Sequence, residues 1–166
     1  MNNYVDSEFA SIINPIIEID EFKKMKNITH HGMTRYDHSM RVAYFSYKVT
    51  KKLRLDYKEA TEAALLHDFF LDEVDDLNRV KRLREHPNCA VENASKYMDL
   101  SDKQKDIIRT HMFPVTFTPP KYLESWIVDI VDDAAAVYEG CYRMHRQMQT
   151  AMFIAMFLVL NFVKMR

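Results

Sequence analysis

Glycine is nearly missing from this 166-residue chain, which has only Gly32 and Gly140. A β-rich fold reverses direction at many turns, and two glycines with five prolines are too few to build them. Cysteine is scarce as well. Cys89 and Cys141 lie far apart and fit neither a disulfide framework nor a thiolate metal pair, which points to reduced thiols in a cytoplasmic protein. No charge of either sign is in excess, since 23 basic and 24 acidic residues leave a formal net charge of -1. A nucleic-acid duplex is therefore not an expected partner. The opening MNNYVDSEF lacks the basic start and apolar run of a signal peptide. The most apolar stretch, TAMFIAMFLVLNFV at 150–163, falls short of the ~20 residues a membrane span requires.

What is present argues for helices. Apolar residues make up 48% of the chain and charged residues 28%, a balance that permits one buried core. Met, Leu, Ala, Lys and Glu fill the periodic stretches, and these are good helix formers. The expectation is an all-α, single-domain bundle of about six to eight helices over 1–166, with a core unit at 28–140 and an apolar helix at 141–166.

Local signals divide the chain. Residues 6–26 have helical periodicity, with Pro15 expected to break or kink the helix. The loop KNITHHGM follows. Thr34, with Asp37 three residues on, resembles a capping box and opens a helix to about Leu55. Asp56 with Glu59 starts the next, whose run ATEAALLHDFF is apolar nearly all round and so should be the buried central helix. His86-Pro87 is expected to open another helix, because proline suits a first turn. Ser101 with Gln104 forms a capping box for a helix ending near His111. A turn at Thr118-Pro119-Pro120 leads into YLESWIVDIVDDAAAVYE, which Gly140 is expected to stop before a last helix begins at Tyr142.

The residues with chemistry sit on these helices. His38 lies in a first helical turn, and His67 and Asp68 are adjacent near the end of the most apolar helix. His86 and His111 are placed at helix ends, and Asp132 within a helix. Neighbouring helical residues point about 100° apart, so one ion serves both His67 and Asp68 only from between their directions. Two titratable groups directly after Ala63-Ala64-Leu65-Leu66 are costly to bury without partners, and a metal satisfies both. Taken singly, each has a plainer reading: His86 as a helix cap, Asp132 with Asp133 as part of a solvated face.

The set resembles the signature of the HD phosphohydrolase superfamily: a His, then an adjacent His-Asp, then a distant Asp, on three different helices. It is carried here by His38 in TRYDHSMRVAYFSYKV, His67-Asp68 in AALLHDFF, and Asp132 in SWIVDIVDDAAAVYE. The resemblance covers about residues 30–139. It implies an all-α HD domain and a divalent metal held by His38, His67, Asp68 and Asp132, with Asp68 as the catalytic carboxylate. Two-metal branches add two histidines between the His-Asp pair and the last Asp. His86 in REHPNCAVENA and His111 in IIRTHMFP match that order, which implies a second ion on His86 and His111 with Asp68 bridging. The arrangement resembles the dinucleoside tetraphosphate hydrolase branch and, more distantly, the cyclic-dinucleotide phosphodiesterases. The ligand types suit iron, manganese, nickel, cobalt or zinc, and analogy with the two-metal branches favours iron.

The chain also departs from its relatives. Neither glycine nor lysine follows His67-Asp68, whose next residues are Phe69-Phe70-Leu71. Asp133 stands where many relatives have lysine, and LDEVDD supplies no clear Glu-Asp pair of the alarmone-hydrolase kind. Arg35, Arg41 and His31 are the candidate contacts to a small phosphorylated substrate, expected to be a nucleotide. The implied activity is hydrolysis of a phosphate ester or anhydride by metal-activated water. The competing reading is a regulatory or nucleotide-binding HD protein that has lost turnover. The run at 150–163 is expected to pack into a core or form a homodimer rather than touch a membrane.

Overall fold

The computed structural model of the chain describes residues 6–30, 33–71 and 79–164. Seven α-helices form the described part: α1 (Ser7–Ile17), α2 (Asp20–Lys23), α3 (Arg35–Lys52), α4 (Tyr57–Leu66), α5 (Arg79–Ser95), α6 (Asp102–Thr110) and α7 (Leu123–Lys164). The all-α class is as expected. The only strand pairing among the described residues is a minimal antiparallel hairpin, Thr29–His30 with Met33–Thr34.

Capping chemistry sets several of the starts. The Thr34 hydroxyl accepts from the Asp37 N–H at 3.0 Å and opens α3. Asp56 caps α4 through the Glu59 N–H, and Ser101 with Gln104 forms a reciprocal capping box on α6. Each supplies a partner for a donor that the helix cannot satisfy itself.

α4 is the centre of the bundle. Ala60, Ala63, Ala64, Leu65 and Leu66 are all fully buried. α3 and α6 pack on it, α1 lies across it, and α7 closes the bundle against α3 and α6. Small residues on α4 let those neighbours approach, and Phe9, Ile16, Val42, Tyr47, Ile107, Ile108 and Val128 fill the space between. Truncating Leu65 or Leu66 to alanine there costs about 2–5 kcal/mol.

The structure corrects four boundaries. Pro15 sits inside α1, and the chain leaves that helix only after Ile17; α2 and a 3-10 turn (Lys24–Asn27) follow. In and just after the expected loop KNITHHGM, Thr29–His30 pairs with Met33–Thr34 as the small hairpin. His86-Pro87 does not open a helix: α5 is already formed at Arg79, and both residues lie in its middle. Proline forfeits one backbone bond there, a loss that the surrounding packing offsets, with Ala90, Val91 and Ala94 buried on the same helix. Gly140 does not stop α7, which runs unbroken for 42 residues. Glycine lowers helix propensity by only ~1 kcal/mol, and strong formers on both sides outweigh that. Both cysteines remain thiols, with Cys141 exposed. No helix among the described residues is long and apolar enough to cross a membrane.

Candidate metal centre

Two helices end in the same way. His67 is the C-cap of α4 and His111 the C-cap of α6. Each donates its Nδ1–H to the carbonyl three residues back, Ala64 and Ile108 respectively, at 2.7 Å. That bond satisfies a carbonyl the helix leaves over, and it leaves Nε2 as the ring atom that each histidine turns towards the cluster, where Asp132 and Asp68 raise the pKa of His67 against its burial. The two rings stand edge to face with centroids 4.8 Å apart. His67 Nε2 is fully buried and makes no hydrogen bond. An imidazole anchored through one nitrogen to a carbonyl, with the other left open, is the usual form of a metal-ligating histidine.

The remaining ligands come from three other elements. Asp68 directly follows the α4 cap. His38 lies on the first turns of α3, Asp132 on α7, and His86 in the middle of α5. Asp132 Oδ1 is 2.8 Å from His38 Nε2 and 3.5 Å from His67 Nε2. His86 Nε2 is 2.9 Å from His111 Nε2 and 3.4 Å from Asp68 Oδ1, and His111 Nε2 is 3.9 Å from the same oxygen. Asp68 Oδ2 is 3.8 Å from His67 Nε2. Three overlapping triads arise, His38-His67-Asp68, His67-His111-Asp132 and Asp68-His86-His111, each with donor atoms within 4.8 Å of one another. Ligand atoms ~2.1 Å from one ion and ~90–110° apart stand about 3.0–3.4 Å from each other, so this spacing fits a divalent ion. All six predicted ligands are therefore gathered in one place.

A second set of groups holds the first. His38 Nδ1 lies 3.1 Å from the Glu139 carboxylate, and Arg41 pairs with that same carboxylate. Arg41 Nη1 also reaches Met33 Sδ at 3.1 Å. Arg41 thus orients a ligand through Glu139, a task different from the substrate contact expected of it. Arg35 is 6% exposed; its Nη1 donates to the Phe70 carbonyl at 2.6 Å, and its guanidinium stacks 3.7 Å above the Phe70 ring. It ties the start of α3 to the segment just after Asp68. His31 lies outside the described residues, as does most of LDEVDD.

Charge in the cluster is strongly perturbed. Burial disfavours the charged form of His38, yet its bonds to Asp132 and Glu139 outweigh that and lift its pKa to about 10. His111 goes the other way. Burial, reinforced by His67 and His86, pushes it down to about 3. Burial also opposes ionisation of Asp68, but the fields of His67 and His86 keep it a carboxylate, and His67 and His38 do the same for Asp132.

The cluster forms one wall of a cavity of about 540 Å³, which Arg35, Asp133, Glu139 and Arg143 also line. Such a volume suits a small-molecule ligand. Asp133 faces this space, where burial and the neighbouring Asp132 raise its pKa. Sequence reasoning missed Glu139 and Asp129. Glu139 was legible in principle, because seven residues past Asp132 is the same helix face two turns on. Asp129 is 5% exposed with Oδ1 unbonded; burial, with Asp133 and Asp132 nearby, lifts its pKa to about 7 against the pull of the Phe113 N–H.

The helical bundle thus gathers His, His-Asp and Asp from separate helices into one cluster that could hold a metal ion. Comparison with protein families matches residues 35–137 to the HD domain, and the chain belongs to that family. HD domains are a superfamily of metal-dependent phosphohydrolases. No curated protein and no solved structure matches the chain.

Proposed function

We propose that this protein is a metal-dependent phosphohydrolase that cleaves a phosphate ester or anhydride of a small nucleotide. The supporting observation is the convergence of five inward-facing Nε2 and carboxylate groups around Asp68, beside a cavity open to a small molecule. His38, His67, Asp68 and Asp132 would hold one divalent ion, and His86 and His111, sharing Asp68, a second. Such ions supply positive charge for phosphoryl oxygens and lower the pKa of a water at the site.

The chain's own groups do the rest. Asp68 stays ionised between two histidine groups and sets their spacing. Glu139, clamped by Arg41, holds the His38 ring. Arg143 lines the cavity and offers a cation to an anionic substrate. Two divalent ions on two carboxylates retain net positive charge, which favours phosphate binding. Iron is the favoured metal, and dinucleoside tetraphosphates are the first substrates to try, because His86 and His111 occur in the order of that branch.

The test combines elemental mass spectrometry on protein purified without added metal with a phosphate-release screen of dinucleoside polyphosphates, nucleotides and cyclic dinucleotides. Two equivalents of a transition metal together with turnover uphold the proposal. A metal-loaded protein that binds nucleotide without turnover favours instead the regulatory reading, to which the cavity-facing Asp133 lends support. Absence of metal after reconstitution sinks both.

A further inference from the structure

We propose that the bare stretch of α7 at Ala136 and Gly140 seats the base of a nucleotide, an inference that rests on the phosphohydrolase reading above. Gly140 is the residue that calls for a ligand. It sits inside an unbroken helix, where glycine is a poorer helix former than alanine. Neither usual reason for a glycine applies there. Its backbone is helical, a conformation any residue adopts, and a Cβ at that position would meet nothing from the rest of the molecule within 4 Å. Gly140 lines the cavity beside the metal cluster. The missing side chain therefore leaves space in that cavity, and a helix surface without side chains lets a ligand approach closely.

The neighbours select the kind of group. Ala136 lies one turn before Gly140 on the same face and also lines the cavity, with Leu83 of α5 and Met112 after α6 as further apolar lining. Along the helix axis Ala136 and Gly140 stand about 6 and 12 Å beyond Asp132. The floor offers sugar hydroxyls no partner, because helical N–H and C=O groups already bond one another. A phosphate is opposed there. Asp133 and Glu139 line the same stretch, and α7 has no lysine or arginine from 133 to 142. A flat ring with an apolar face meets both conditions, as every base does. Its phosphates then run back towards the metal cluster, and Arg143, one turn beyond Gly140, bounds the outer end of the seat. The site thereby favours nucleoside phosphates over inorganic polyphosphates and sugar phosphates.

Calorimetric titration of metal-reconstituted protein with the four ribonucleoside triphosphates and with inorganic tripolyphosphate tests the seat. At least one nucleotide should bind about 5–100-fold more tightly than tripolyphosphate, the contribution of one stacked base. Gly140→Leu should erase that advantage. Gly140→Ala should reduce it while raising the melting temperature of the metal-free protein by about 2–4 °C through better helix propensity. A gain in stability together with a loss of base preference is a combination that a purely structural glycine does not produce. Ala136→Leu, which leaves Gly140 in place, should erase the advantage as well. Equal wild-type affinity for tripolyphosphate and all four nucleotides overturns the seat and leaves the phosphohydrolase reading standing, as does an advantage that survives these substitutions. Failure of tripolyphosphate and nucleotides alike to bind the metal-loaded protein overturns the phosphohydrolase reading with it.

Discussion

His38 and His111 occupy the same cluster under opposite conditions. His38 lies between two carboxylates, Asp132 at 2.8 Å and Glu139 at 3.1 Å, and without a metal it holds its proton up to a pH of about 10. His111 gives Nδ1–H to its own helix, faces two other imidazoles, and stays neutral down to about pH 3. A metal arriving on the His38 side must displace a proton, whereas on the His111 side the imidazole is already neutral. Carboxylates placed behind and beside an imidazole make it basic; imidazoles packed together make each other weak bases. One cluster thus contains a proton-gated half and a ready half.

The largest expected effect comes from removing the group the two halves share. Asp68→Ala should strip metal from both and reduce turnover by at least about a thousand-fold, ~4 kcal/mol in the barrier. Metal content and phosphate release measure this, and an active, metal-loaded variant breaks the idea of a shared carboxylate. Next in size is His86→Ala with His111→Ala. These should remove one equivalent of metal and leave the His38 half loaded; loss of all metal would mean that the halves do not fill separately.

Glu139→Gln and Glu139→Ala sharpen the contrast at His38. Each should weaken metal affinity by about 10–100-fold, the usual cost of losing an outer partner, with the glutamine milder because it can still accept from Nδ1. The pH dependence of metal binding is the diagnostic readout. Without Glu139 the His38 proton is easier to displace, so competition by protons should move to lower pH. An unaltered profile would deny Glu139 its orienting role.

The smallest effect concerns Asp129, a carboxyl raised to about pH 7 with an unbonded buried oxygen. Its folded pKa exceeds its unfolded value, so the neutral form favours the fold at acid pH, and stability is lost as pH rises from about 4 through about 7. Asp129→Asn should therefore stabilise metal-free protein at pH 8 by about 1–3 kcal/mol and make little difference at pH 4. Urea unfolding at the two pH values measures it, and equal effects at both would show that Asp129 does not titrate as described.

Residue types and spacing were enough to predict the all-α class, the caps at Thr34, Asp56 and Ser101 and the buried α4, while the six ligand candidates needed the resemblance to the HD superfamily as well. Those features depend on local chemistry: a hydroxyl or carboxylate beside a free N–H, an unbroken apolar run, a histidine next to an aspartate where neither is easily buried. His86 inside α5 and the passage of α7 through Gly140 were not legible, because a proline or glycine penalty of a few kcal/mol is decided by packing and flanking propensity. The tasks of Arg35 and Arg41 were hidden for a related reason. An arginine near a ligand in sequence has a long side chain, and only the fold shows Phe70 and Glu139 waiting at its end. The sequence by itself therefore determined which residues are candidates to hold a metal. The tertiary structure alone decided which imidazole is basic and which stays neutral, since that depends on carboxylates and rings brought from helices far apart in the chain.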